Sequence, residues 1–114
     1  MFVDDPTRLR HMLDSAKLAL STTTTWSLDE LLADELRVLG LEKCVEIVGE
    51  AAYKISVNFK DKHPRIPWKT IMRLRNHLVH DYSAIDLPLV WKSITDDFPP
   101  LISEIERILT SEPA

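Results

Sequence analysis

The chain has 114 residues, with 14 Lys+Arg against 18 Asp+Glu, a formal net charge of −4, an apolar fraction of 45% and a single cysteine. That length suits one domain over residues 1–114, and that much apolar surface offsets the ordering entropy that keeps disordered chains open. One cysteine excludes an internal disulfide and a thiolate zinc cluster, two glycines leave no glycine-rich phosphate loop, and no apolar run approaches the roughly 20 residues that span a bilayer.

Met1 to Pro6 has neither the basic start nor the apolar stretch of a signal peptide, so the expected place is the cytoplasm, with no membrane. Leu9, Met12, Leu13, Ala16 and Leu20 follow helical spacing and predict a first helix over about residues 5–20, with Pro6 in its first turn. The hydroxyl run Ser21 to Thr25 is expected to end it, because such side chains favour caps and turns. Ser27 and Glu30 form a capping box that opens a second helix. That helix is expected to be long, about 28–59, with Leu41, Cys44, Val45, Val48, Ala51, Ala52, Ile55 and Phe59 on one face. Gly40 marks a place for a bend or break. Lys60 to Pro67 reads as an extended connector, and Pro67 as the first turn of a third helix that ends at His80. A last helical region, about 87–109, is expected to be split or sharply kinked by Pro99-Pro100. The fold class is therefore all-α.

The charge is uneven. Residues 54–80 carry Lys54, Lys60, Lys62, Arg65, Lys69, Arg73 and Arg75 against Asp61 alone, a balance of +6, so the rest of the chain sums to −10. A basic band of this kind attracts phosphates or an acidic protein face, although most charge runs are solvated surface. It leads into the most unusual segment of the chain. On the third helix Arg75 falls in the middle of an apolar arc, with Ile71, Leu74 and Leu78 on one side and Met72 and Val79 on the other. A guanidinium there is costly unless paired. It is either held in an internal ion pair, with Glu46, Glu50 and Asp86 as candidate partners, or it serves a pocket or interface. Asn76 and His80 line the shoulder of the arc, one turn apart, while Arg73 and His77 fall on the face expected to meet solvent. Arg75, Asn76, His80, Asp81 and Tyr82 together supply a fixed cation, an amide, a near-neutral acid/base and a phenol. Those are the parts needed to cleave a phosphodiester without a metal: His80 moves a proton, Arg75 stabilises charge on the phosphate, and Asn76 orients the imidazole or the phosphate.

The stretch Arg75-Asn76-His77-Leu78-Val79-His80-Asp81-Tyr82 resembles the R-x4-H-x-Y signature of HEPN-domain RNases, and in particular the HepT-like toxins. Glu46-Ile47-Val48-Gly49-Glu50-Ala51-Ala52 resembles that family's EIIGEAA helix, and His63-Pro64-Arg65-Ile66-Pro67-Trp68 its HPxIPW connector. Val90-Trp91 after Asp86-Leu87 resembles the segment that follows its catalytic motif. These stretches occur in the family's order over about residues 40–109. The resemblance implies an up-and-down helical bundle of four to five helices that forms a homodimer through the R-x4-H helix. Two such helices would build a shared, metal-independent site for RNA cleavage. Carried over by position, Arg75 and His80 are the catalytic pair and Asn76 the supporting polar residue. Arg73 and Lys69 of the basic band are expected to bind substrate. Tyr82 matches the tyrosine that a cognate MNT-type nucleotidyltransferase antitoxin AMPylates, and an adenylyl phosphate there would add negative charge and bulk beside Arg75. No cofactor is called for. The chain departs from the family at Met72-Arg73-Leu74, where a glycine or small residue is common, and larger side chains there bear on the approach to the site.

Other residues have plainer readings. Trp26, Trp68 and Trp91 suit packing better than base stacking, Cys44 is a small core residue, and neither His11, His63 nor the Glu46/Glu50 pair makes a metal site. Two alternatives to a toxin RNase stay open. One is a non-enzymatic HEPN-like module that docks a nucleotidyltransferase or binds nucleotide through the basic pocket. The other is a helical adaptor in which Arg75 and His80 only stabilise the fold.

Overall fold

Helix α1 begins where the Asp4 carboxylate accepts the Thr7 N–H at 2.9 Å. It runs from Asp5 to Thr25 in the computed structural model, which describes residues 4–111, the side chain of Tyr82 excepted. The helix is longer than its apolar spacing predicts. The hydroxyls of Ser21 to Thr25 do not break it, because each donates back to a carbonyl three or four residues earlier, as Ser21 does to Leu18 at 2.7 Å and Thr25 to Ser21 at 2.8 Å.

The long second helix divides into three. Helix α2, Leu28–Leu32, opens with the predicted capping box between Ser27 and Glu30. Helix α3, Glu35–Lys54, starts afresh where Asp34 accepts the Arg37 N–H at 3.0 Å. Helix α4, Val57–Lys62, starts where the Ser56 hydroxyl accepts the Phe59 N–H at 3.2 Å. Both breaks share one cause: a short polar side chain satisfies the first free N–H groups of a new helix, so the chain can turn without orphaning them. Gly40, the expected bend, lies inside α3. Pro67 precedes helix α5, Trp68–His80, as its N-cap residue and not as its first-turn residue. A 3₁₀ turn at Tyr82–Ala84 follows.

Helix α6 is continuous from Leu87 to Ser111 with Pro99 and Pro100 inside it, which corrects the expected split. Both prolines are exposed, whereas Phe98 and Leu101 on either side are buried. Carbonyls that lose their N–H partner on the solvent side can be served by water. Burial of Ile94, Phe98, Leu101, Ile102, Ile105 and Ile108 carries the helix through the interruption.

The four long helices, α1, α3, α5 and α6, make an all-α bundle joined by the short α2 and α4. Helix α1 packs between α3 and α6, and α3 packs in turn against α5. Their buried residues form one apolar cluster, centred on Leu9 and Met12 of α1, Val45 and Val48 of α3, and Ile94 and Ile105 of α6. Among the described residues no polar or charged residue is buried in that cluster, no strand occurs, and no helix is long and apolar enough to cross a membrane. Helix α5 therefore stands at the edge of the bundle. It contributes Ile71, Leu74 and Leu78 to the core and turns its polar residues outward or sideways.

Candidate functional site

Arg75 is seated by a glycine. Gly49 of α3 is buried against α5, and a Cβ built on it would collide with Cβ and Cγ of Arg75. The missing side chain lets the two helices approach, and the arginine then reaches across to α3. Its Nε donates to Oε1 of Glu50 at 2.8 Å, and Nη2 lies 2.7 Å from the same oxygen in an ion pair. Nη1 donates to Oδ1 of Asn76 at 3.1 Å, and the guanidinium carbon lies 5.5 Å from the centre of the Tyr53 ring. Of the three partners the sequence offered, Glu50 is the one found. Glu46 pairs with Lys43 at 3.7 Å, and Asp86 accepts the Leu89 N–H at 3.1 Å at the start of α6. The Arg75 side chain keeps 21% of its surface exposed. A guanidinium has five N–H donors, so these contacts leave at least one on each terminal nitrogen, the arrangement that grips two oxygens of a phosphate.

His80 lies on a different side of α5. A groove of about 530 Å³ runs between α5 and α6, with Arg73, Asn76, His77, His80 and Asp81 on one wall and Leu89 and Ser93 on the other. A shallower cavity of about 400 Å³ adjoins it, lined by Trp68, Lys69, Met72, Arg73 and Asn76. His80, Asn76 and the two substrate-binding candidates, Arg73 and Lys69, thus line a continuous basic surface. Arg75 lines neither cavity, and among the described residues Asn76 connects it to them, through its bond to Nη1. Along the helix axis Arg75 and His80 are separated by about 7.5 Å.

His77 is where the sequence misleads. Its expected solvent-facing ring keeps only 18% of its side chain exposed. Nδ1 lies 3.2 Å from Oδ2 of Asp81, and Nε2 accepts the backbone N–H of Asp86 at 2.9 Å. The acid four residues on, at Asp81, was the available signal for the first bond. The second depends on how the chain folds back after the helix, which spacing does not report. Tyr82 has its backbone in the 3₁₀ turn directly after α5, and its side chain lies outside the described part of the structure.

The remaining expectations concern packing. The Arg37 guanidinium stacks 4.2 Å from the Trp26 ring centre, and the Trp68 indole N–H donates to the His63 carbonyl at 3.0 Å. Trp91 packs half-buried against the core. Burial pushes the Cys44 thiol and the Glu42 carboxyl above their usual ranges. Among the described residues no group of three or more His, Cys, Asp or Glu side chains is placed to hold a metal ion.

Comparison with known proteins covers nearly all of this architecture. The family described as "Ribonuclease HepT-like" matches residues 12–108, from within α1 to the last turn of α6. A Methanocaldococcus jannaschii protein named "Putative RNase MJ1380" is 34% identical over 100 residues, covering 88% of this chain and 92% of its own length. A Thermococcus cleftensis protein named "Probable ribonuclease HepT" is 30% identical over 100 residues, covering 88% and 91%. A Caldanaerobacter subterraneus protein named "Putative RNase TTE0752" is 27% identical over 104 residues, covering 91% and 93%. No solved structure matches significantly. The match takes in α1, which the sequence motifs alone did not reach, together with the helix that seats Arg75 and the helix that carries His80, and the chain belongs to the HepT-like ribonuclease family.

Proposed function

We propose that this chain is the toxin of a toxin–antitoxin pair, an endoribonuclease that cuts RNA without a metal ion, with Arg75, Asn76 and His80 as its catalytic residues. The observation that carries the proposal is the bonding of Arg75. Glu50 and Asn76 hold the guanidinium in one orientation and leave a donor on each terminal nitrogen, while His80 stands exposed at the end of the same helix. In the proposed reaction the ribose 2′-oxygen attacks the adjacent phosphorus and the bond from phosphorus to the 5′-oxygen breaks. The products are a 2′,3′-cyclic phosphate and a 5′-hydroxyl. One imidazole takes the 2′-hydroxyl proton and another gives a proton to the leaving 5′-oxygen. The charge that builds on the phosphate oxygens falls to Arg75, a role that a metal would otherwise fill. Lys69 and Arg73 hold flanking phosphates along the groove.

His80 is the one imidazole of each chain assigned to proton transfer, so the second comes from a second protomer, and the homodimer is part of the proposal. Within one protomer Arg75 and His80 serve different sides of α5. A second α5 laid against the first supplies the missing half of each set. The exposed apolar residues beside Arg75 suit such a contact: Tyr53 is 62% exposed and Val79 is 37% exposed. Tyr82 is proposed as the residue that a cognate MNT-type nucleotidyltransferase antitoxin AMPylates. It follows the catalytic helix directly, so a bulky anion there would compete with RNA phosphate for the same basic surface.

RNA cleavage in excess EDTA tests the core of this reading. Unmodified protein is compared with His80→Ala after intact mass shows no adenylyl group on either. Cleavage by the first and not the second is the expected result. A folded, dimeric, unmodified protein that cuts none of several RNA classes overturns it and supports the docking module instead.

A further inference from the structure

The segment after α5 carries the proposed modification site, and both of its ends converge on one side chain. Asp81 and Asp86 bracket the 3₁₀ turn Tyr82–Ala84. The His77 ring lies between them. Its Nδ1 is 3.2 Å from the Asp81 carboxylate, and its Nε2 is 2.9 Å from the Asp86 backbone nitrogen. The protonation state follows from the partners. The Asp86 N–H can only donate, so Nε2 must be the bare nitrogen of a neutral ring. The proton then sits on Nδ1, whose N–H donates to Oδ2 of Asp81. This is the less common tautomer of free histidine, so finding it would itself be informative.

We infer that His77 is a positioning residue, a clasp that closes the loop 81–86 and so fixes the His80 end of α5 and the turn that presents Tyr82. The bonds around it are connected. The Asp81 N–H donates to the His77 carbonyl at 3.0 Å and the Ala84 N–H to the Asp81 carbonyl at 2.8 Å, which sets the exit of α5. Asp86, held by the ring, caps α6 by accepting from the Leu89 N–H at 3.1 Å. One imidazole therefore ties the end of the catalytic helix to the start of the helix across the groove. His80 and Asp81 on the α5 wall and Leu89 on the α6 wall then keep their spacing. His77 touches no substrate in this scheme and acts through the loop.

The effect on cleavage rests on the RNase reading, so the test has two readouts that need no RNA. The first is the ring tautomer by nitrogen NMR of histidine-labelled protein, expected as a bare Nε2 and a protonated Nδ1. The second is hydrogen exchange of the Asp86 amide. Gln at this position places its amide oxygen where Nε2 accepts, whereas Asn reproduces only the donor at Nδ1. Exchange is expected to rise about 5-fold in His77→Ala and in His77→Asn and to stay slow in His77→Gln. Cleavage is expected to fall about 10- to 100-fold in His77→Ala at unchanged dimerisation, and to recover in His77→Gln. A ring protonated on Nε2, or an Asp86 amide indifferent to all three substitutions, overturns the clasp. Unchanged kcat in a folded His77→Ala protein overturns its positioning role. Absence of cleavage by the unsubstituted protein is the separate failure of the RNase reading, and the exchange data then decide the clasp on their own.

Discussion

Helices α5 and α6 look alike as amphipathic patterns, and they use the pattern differently. In α6 the burial of eight apolar residues accounts for the placement of nearly everything else, down to two prolines turned to solvent. In α5 only Ile71, Leu74 and Leu78 are buried, and the helix gives its flank to polar residues bonded to one another or to α3. An apolar stripe explains a helix when the polar residues beside it are interchangeable. In α5 they are not, since Arg75 needs Glu50 and Asn76, and His77 needs Asp81 and Asp86. The difference separates a helix that holds the fold from one that the fold holds up.

The sharpest way to break this comparison is at His80. The ring is exposed and no hydrogen bond among the described residues ties it down, so His80→Ala is expected to shift unfolding free energy by no more than about 0.5 kcal/mol. Cleavage is expected to fall by about 10² to 10⁴. Urea denaturation and a cleavage assay on the same preparation check both halves. If the variant loses stability in step with activity, α5 is a structural helix like α6. The converse belongs to α6. Ile105 is fully buried in the central cluster, so Ile105→Ala is expected to cost about 2–5 kcal/mol in urea denaturation. The folded fraction should keep its activity per molecule.

A smaller and more specific effect lies in the two glycines of α3. Gly49→Ala puts a methyl group into Cβ and Cγ of Arg75. Helices α3 and α5 must part or Arg75 must leave Glu50, so a loss of about 1–3 kcal/mol is expected, with cleavage reduced beyond the loss of fold. Gly40→Ala meets nothing within 4 Å and sits in an exposed stretch of the same helix. It is expected to stabilise by about 0.5–1 kcal/mol and to leave cleavage alone. Thermal melts of the pair check the contrast. The same substitution with opposite expected effects at two positions of one helix isolates the seat of Arg75 from helix propensity.

How much of this was legible in the sequence follows from what each feature depends on. The all-α class and the polar cluster at the end of α5 depend on residue type and short spacing, and both could be read directly. The choice between an ion pair and a pocket for Arg75 could be posed but not decided, because Glu46 and Glu50 lie one turn apart and only the packing of α3 on α5 selects one. The breaks at Asp34 and Ser56 were missed because an uninterrupted apolar face looks the same whether or not the backbone pauses to be capped. The passage of α6 through Pro99-Pro100 was missed because the cost of a proline depends on whether the freed carbonyls face water. His77 was missed for the most instructive reason. Its second partner is a backbone N–H nine residues away, and backbone donors carry no sequence signature.

The mildest expected effect lies between α1 and α3. Cys44 is the one thiol in the chain. It is half-buried and lines a small cavity of about 250 Å³ with Leu18, Thr22, Arg37, Gly40 and Leu41. A neighbouring guanidinium would favour the thiolate, but Arg37 is committed to the Trp26 ring at 4.2 Å and to Asp34 at 3.8 Å. Burial is the effect that remains, and it pushes the thiol up from its usual range. Alkylation by iodoacetamide at neutral pH is therefore expected to be slower than for free cysteine, with the pH dependence displaced upward, and to match free cysteine once urea unfolds the chain. A rate equal to or above that of free cysteine in the folded protein would mean that something activates this thiol. A second reactive centre would then sit between α1 and α3, where residues are assigned only to packing.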